Sequence, residues 1–338
     1  MPSTLLPLPQ TLSPGEGAGD GGDAHLPRLL CLHGGGTTAR IFRRQCRSLV
    51  RAFSPYFRLV FADAPYLAPD PGPDAAALAA VYPPARYGPF RRWLRSSPSE
   101  HPICDADGNE CEEGAAAIER AMLSAMAADD AAGGRGEWVG LLGFSQGAKV
   151  AASVLFETQG RLRGTRPQVG PFAGVDWRFG VLLAGRGPLV ALGQDTFSLA
   201  GFERPGGSAA GRTPPPPPPV VGERRAWNSE HRIWLPTVHV HGLGDPGLAF
   251  HRALHADGTQ AGSAELVEWD GDHRVAIQTK DVQRIVQAVL RAAQRAGVEV
   301  ASTREPTEAT VEFLAVALSA AGPLVDEGWM AEWQQAAA

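Results

Sequence analysis

The 338-residue chain has little lysine: Lys149 and Lys280 are its only two, against a total of 31 basic residues. It has no long basic run and carries a net charge of −5, which leaves no electrostatic footprint for nucleic acid. Arg43, Arg44, Arg47 and Arg51 do cluster, but they alternate with Ile41, Phe42, Cys46, Leu49 and Val50 at helical spacing. That pattern describes a solvated helix face opposite a buried one. Cysteine is scarce too. Cys31, Cys46, Cys104 and Cys111 form neither a C-x-x-C pair nor a dense disulfide framework. Cys31 lies in an apolar, strand-like run and reads as a small core residue. Met1 to Gln10 lack a positive start and a long apolar stretch, so no signal peptide is expected. The longest apolar run, 313–321, falls short of the roughly 20 residues that span a bilayer. Internal repeats are absent. A soluble, cytoplasmic protein with neither membrane nor nucleic acid as partner is expected.

Glycine and proline, 40 and 29 residues, make up about a fifth of the chain, below the share of a low-complexity sequence. With 44% hydrophobic residues a sizeable core is available, and the length allows one large domain or two modest ones. Residues 1–26 read as a flexible leader rich in Pro, Gly and acidic residues. Short apolar runs follow at 29–32, 59–61, 138–144, 179–183, 238–241 and 264–269, each a predicted strand. Helical patterns at 38–53, 112–128 and 148–157 lie between them, and another at 281–296 follows the last. Such alternation predicts an α/β fold: a mostly parallel, doubly wound sheet with helices on both faces. Its chemistry belongs in the loops at the carboxyl ends of the strands.

Three segments break the pattern. Residues 64–111 interleave prolines with Tyr66, Tyr82, Tyr87, Phe90 and Trp93, the composition of a cap-like insertion over a pocket. Residues 203–222 hold six consecutive prolines, 214–219, read as an extended surface insertion and, alternatively, as a proline-rich partner ligand. The 297–338 extension has apolar spacing at Val311, Leu314, Ala315 and Leu318, which predicts one more helix. The catalytic domain then covers 27–296.

The strongest chemical signal is Gly143-Phe144-Ser145-Gln146-Gly147, directly after the strand 138–142 and directly before a helix-prone run. That strand–turn–helix context is what a nucleophile elbow needs. A serine nucleophile requires a base, and the base an orienting carboxylate. The order Ser, then acid, then His is met by Asp245, just past the strand 238–241, and His273, just past the strand 264–269. His239 and His241 lie within a strand and read as packing residues; His251 and His255 fall on a following helix. Asp270 and Asp272 adjoin the base in sequence, and Asp176 is a fallback acid. An oxyanion would be held by the backbone N–H of Gln146 and one from the loop His33-Gly34-Gly35-Gly36, with Gly35 the expected donor. No G-x-G-x-x-G and no P-loop occur, so neither a dinucleotide nor a nucleotide cofactor is indicated. His and Cys lack zinc-ligand spacing, and Asp105-Ala106-Asp107-Gly108 has the wrong spacing for a calcium loop. A metal-free site without cofactors is expected.

These residues resemble the fungal serine hydrolase (FSH) family of small α/β-hydrolases, which includes the lovastatin-type thioesterases. The resemblance rests on Leu30-Cys31-Leu32-His33-Gly34 with Ile41-Phe42, on Asp63-Ala64-Pro65 with Pro71-Gly72-Pro73 and Trp93, and on Gly140 to Ala148. His241-Gly242-Leu243-Gly244-Asp245-Pro246 and the His273 loop complete it, over roughly residues 27–295. It implies hydrolysis of acyl esters or thioesters through Ser145, Asp245 and His273. Many members release a polyketide from an acyl carrier protein in secondary metabolism, so a small acyl ester or thioester, on an acyl carrier domain, is the implied partner. A general carboxylesterase is the alternative with the same chemistry; a non-catalytic protein using the proline run is the alternative from another class. The family often has Gly-Gly-His and a proline three residues after the histidine, where this chain has Asp272 and Ala276. Tyr66, Tyr87 and Trp93 are the expected pocket residues, from composition.

Overall fold

The computed structural model describes residues 21–68, 75–94, 109–165, 174–193, 196, 202–203 and 232–300. The leader up to residue 20, the acidic turn 105–108, the proline run 214–219 and the helix expected beyond residue 300 lie outside the described residues.

In chain order the elements are β1 (Arg28–Leu32), α1 (Ala39–Gln45), α2 (Arg47–Phe53), β2 (Arg58–Ala62), β3 (Tyr66–Leu67), α3 (Ala75–Val81), α4 (Pro84–Tyr87) and β4 (Arg91–Arg92). Then come α5 (Asn109–Ala131), β5 (Trp138–Phe144), α6 (Gln146–Leu162), β6 (Phe179–Leu183), β7 (Leu189–Val190) and β8 (Phe202–Glu203). The last are β9 (Thr237–Gly242), α7 (Leu248–Gly258), β10 (Ala264–Trp269) and α8 (Thr279–Arg295).

Six strands form one sheet in the order β10-β9-β6-β5-β1-β2, every neighbouring pair parallel. The inner strands β1, β5 and β6 read as largely apolar runs because both faces of the sheet are covered, and β9 is buried throughout although it carries Thr237, His239 and His241. Side chains alternate along them. Leu29 and Cys31 enter a core with Phe42, Leu49 and Phe53 of α1 and α2 and with Ile285 and Val289 of α8. Leu30 and Leu32 enter the opposite core, with Ile118 and Met122 of α5 and Val150 and Val154 of α6. Each such fully buried side chain contributes about 1.5–3 kcal/mol. The sheet is therefore doubly wound, an α/β-hydrolase fold. No helix of the described residues is long and apolar enough to cross a membrane.

One predicted helix differs. The run 38–53 divides at Cys46, whose φ of −82° and ψ of 8° close α1 and open α2. The turn allows Ile41 and Phe42 on one side and Leu49 and Phe53 on the other to be buried together. In the cap-like segment, β3 and β4 pair antiparallel around α3 and α4, and residues 109–111 belong to α5. The chain leaves β1 for β2 and returns on the other side of β1 to β5, so the crevice of this sheet opens beyond the ends of β1 and β5.

Candidate active site

Ser145 follows β5 with φ 52° and ψ −113°, in a region that non-glycine residues rarely occupy. The flanking glycines have direct steric reasons. A Cβ on Gly143 would lie 2.4 Å from the Gly147 carbonyl oxygen, and one on Gly147 would lie 2.1 Å from the Leu32 carbonyl oxygen. Only glycine lets α6 start this close to β1. The Ser145 amide donates to Leu183 O at 2.9 Å, which fixes the turn against β6.

Asp245 and His273 reach Ser145 from the ends of β9 and β10. A Cβ on Gly242 would meet the carbonyl oxygens of Asp272 and Gly271 at 2.4 and 2.5 Å, so glycine there lets the His273 loop fold against β9. His273 Nε2 lies 3.0 Å from Ser145 Oγ, and its Nδ1 lies 2.6 Å from Asp245 Oδ2. A carboxylate only accepts, so Nδ1 carries the proton and Nε2 accepts the serine O–H. The Phe144 ring supports the imidazole at 5.0 Å between centroids. The His273 side chain is 37% exposed and that of Asp245 only 2%, so the imidazole is open to solvent and the carboxylate is sealed. Burial alone would raise the Asp245 pKa, but the close His251 imidazole and the hydrogen bonds from His273 and the Gly247 amide hold it well below the usual carboxylate range.

The loop after β1 lies beside the elbow. Gln146 opens α6, where first-turn N–H groups have no acceptor within the helix. A Cβ on Gly35 would come within 3.3 Å of Gln146 Oε1, so the two expected oxyanion donors belong to neighbouring residues. The Gly36 amide is committed to Arg91 O at 2.9 Å. His33 is fully buried. Its Nε2 accepts the Ala64 N–H at 3.0 Å, which leaves Nδ1 to donate to Gly34 O at 2.7 Å. Burial pushes its pKa down to about 4.

Trp93 is fully buried, its Nε1–H donating to His33 O at 2.9 Å and its amide to Gln146 Oε1 at 2.7 Å. Tyr87 packs with Ile41, Ala68 and Phe90, and Tyr66 is half-buried on β3. Asp176 precedes β6 and so sits at the opposite end of the sheet from Ser145.

Sequence spacing did not reveal one neighbour. His251, on α7, is buried with its Nε2 3.0 Å from Asp245 Oδ2. Asp245, His251 and His273 offer nitrogen and oxygen atoms within 4.8 Å of one another, the one group among the described residues able to hold a metal ion. The spacing of His and Cys along the chain gave no sign of it. An ion there would take the His273 and Asp245 atoms that now bond to each other.

Residues 24–285 match the family model described as Serine hydrolase (FSH1). The chain belongs to this family. Among its relatives, Esterase pigG of Monascus ruber is 47% identical over 286 residues, 84% of this chain and 98% of the relative. Esterase dbaE of Emericella nidulans is 44% identical over 283 residues, 81% and 93% of the two chains. Esterase claE of Penicillium crustosum is 43% identical over 282 residues, 82% and 97%. The chain is a serine hydrolase acting on esters, and the reading of the sequence as a member of this family holds.

Proposed function

We propose that Ser145, His273 and Asp245 form the catalytic triad and that hydrolysis runs through an acyl-enzyme on Ser145. His273 Nε2 takes the hydroxyl proton as Oγ attacks the acyl carbon, while Asp245 orients the ring and stabilises its charged form. The tetrahedral oxyanion accepts the backbone N–H groups of Gln146 and Gly35. His273 then gives its proton to the leaving alkoxide or thiolate, and the same nitrogen activates the water that frees the acid. The observation that carries this reading is the unbroken relay Ser145–His273–Asp245, at 3.0 and 2.6 Å. Fluorophosphonate labelling of the wild type against Ser145→Ala tests it: label on the wild type alone is expected, and equal labelling, or none on either, overturns it.

For the substrate, a polyketide acyl thioester on an acyl carrier domain is the reading we favour, in a cytoplasmic enzyme of secondary metabolism. Its support is the family resemblance of the Asp63-Ala64-Pro65 segment. The three relatives named above are all called esterases, which favours a simple carboxylesterase instead. Turnover of a carrier-bound acyl thioester against that of an aryl ester of equal chain length separates the two.

The 64–94 segment serves in this reading as a wall of the acyl pocket. Tyr66 would meet the acyl chain, and the buried Tyr87 and Trp93 would hold the wall in place. Unchanged chain-length preference in Tyr66→Ala and Trp93→Ala would remove the segment from the specificity argument.

A further inference from the structure

Two imidazoles share one carboxylate oxygen. His273 Nδ1 and His251 Nε2 lie 2.6 and 3.0 Å from Asp245 Oδ2, and the two rings stack with their planes 23° apart. The other oxygen of Asp245, Oδ1, accepts the Gly247 N–H at 2.7 Å. The His251 Nδ1–H donates to Gly185 O at 3.0 Å. His251 thus stands between two groups that only accept, a carbonyl and a carboxylate, and satisfies both only with a proton on each nitrogen. Nε2 lies close to Oδ2 but outside straight hydrogen-bond geometry, so the contact is a close electrostatic approach, an ion pair when the ring carries both protons.

The backbone is shaped around this contact. A Cβ on Gly247 would lie 3.0 Å from His251 Cε1, 3.1 Å from Nε2 and 3.2 Å from Asp245 Oδ1, so glycine there lets the pair close. Ala184, next to Gly185, is, with Ser145, one of the two non-glycine residues with positive φ among the described residues. Strain of this kind gathers at sites whose geometry the surroundings enforce. The other ionisable groups near His251 are His241 of β9, with ring centroids 5.6 Å away, Arg252 and His255 on its own helix, and Glu268 of β10, 3.9 Å from His241.

We propose that His251 is a positioning residue of the reaction: it clamps Asp245 beside His273, and the relay is a Ser145–His273–Asp245–His251 tetrad. The inference rests on the triad reading above. His251 holds the carboxylate at one rotation, and it draws off part of the charge that would otherwise act on His273 alone.

Two substitutions separate this role from packing. Gln reaches as far as the imidazole Nε2 and keeps a donor for Asp245 while giving up the one to Gly185. Asn reaches only as far as Nδ1 and does the reverse. With an aryl ester, His251→Asn should lose about tenfold in kcat with KM little changed. The acid limb of its kcat/KM profile should move to higher pH, because the undivided carboxylate charge holds the His273 proton more tightly. His251→Gln should recover most of both. Recovery by Asn but not Gln, or an unmoved pH profile in Asn, overturns the proposal. Ser145→Ala as active as the wild type would instead overturn the triad reading. Histidine ring 15N NMR of the wild-type chain needs no variant to fold: a proton on His251 Nε2 is expected, and a bare Nε2 overturns the clamp.

Discussion

Gln146 Oε1 accepts the backbone N–H of Trp93 at 2.7 Å and that of Leu94 at 3.4 Å. Gln146, next to the proposed nucleophile Ser145, thus uses its side chain to pin a segment more than fifty residues earlier in the chain. That segment is tied to the 33–37 loop at three further points, Gly36 N to Arg91 O at 2.9 Å, Arg91 N to Thr37 O at 2.8 Å and Trp93 Nε1 to His33 O at 2.9 Å.

Replacing Gln146 by Leu strands the Trp93 N–H in a buried place while leaving the backbone donor of residue 146 intact. The expected loss is about 1–3 kcal/mol of stability, with kcat down about tenfold because Gly35 loses its packing partner. Gln146→Glu keeps an acceptor for Trp93 and should hold its Tm nearer the wild type. It nevertheless sets a negative charge beside the developing oxyanion, so its kcat should fall below that of the Leu variant. Melting curves and ester turnover on the same preparations check both halves.

Asp245→Asn exchanges an acceptor for an amide that must face the N–H groups of His273, His251 and Gly247. One amide oxygen cannot serve three donors, and the His273 tautomer needed to accept the serine proton is no longer selected. A fall in kcat of about 10⁴ is expected, the size seen for this change in an unrelated serine protease triad. Fluorophosphonate labelling should slow in parallel. A loss below tenfold would show that Asp245 does not orient the base.

The backbone strain at Ser145 makes a prediction that separates geometry from chemistry. Ser145→Ala and Ser145→Gly both remove the nucleophile and should both be inactive. Alanine keeps the cost of φ 52° and ψ −113°, whereas glycine adopts such angles freely. The Gly variant should therefore be more stable than the Ala variant by about 1 kcal/mol or more, a Tm some 2–4 °C higher. Equal melting temperatures would mean that the elbow is unstrained.

The inner sheet was legible because parallel strands covered on both faces must be short apolar runs, and 138–144 and 179–183 match the observed strands residue for residue. The edge strand 264–269, also matched residue for residue, alternates instead, with Glu265 and Glu268 between its apolar positions. Ser145, Asp245 and His273 were legible because each directly follows such a run, where a sheet of this kind presents its functional loops. His251 was not. Which face of α7 turns toward Asp245 depends on the turn at 245–248, and no periodicity encodes that rotation. The Gln146–Trp93 and Trp93–His33 bonds escaped for a related reason: they join residues 53 and 60 apart through a segment with no regular pattern. The break at Cys46 was hidden because both halves keep one apolar stripe.

Buried histidines set the response of the fold to acid. Burial pushes the His33 pKa down to about 4 and that of His241 to about 3, and burial lowers His239 as well. In the unfolded chain these rings take up protons near pH 6.5. Below that pH the unfolded state binds protons that the folded state refuses, so stability is complete above about pH 6.5 and falls as pH drops toward the folded values. At pH 5 the His33 and His241 rings each cost about 2 kcal/mol. For His33 and His241 together that lowers Tm by about 10 °C between pH 7 and pH 5. His241→Phe, with a ring that cannot titrate, should make the decline visibly shallower. A Tm that stays flat between pH 7 and 5 would mean that these histidines are protonated, or hydrated, inside the folded protein.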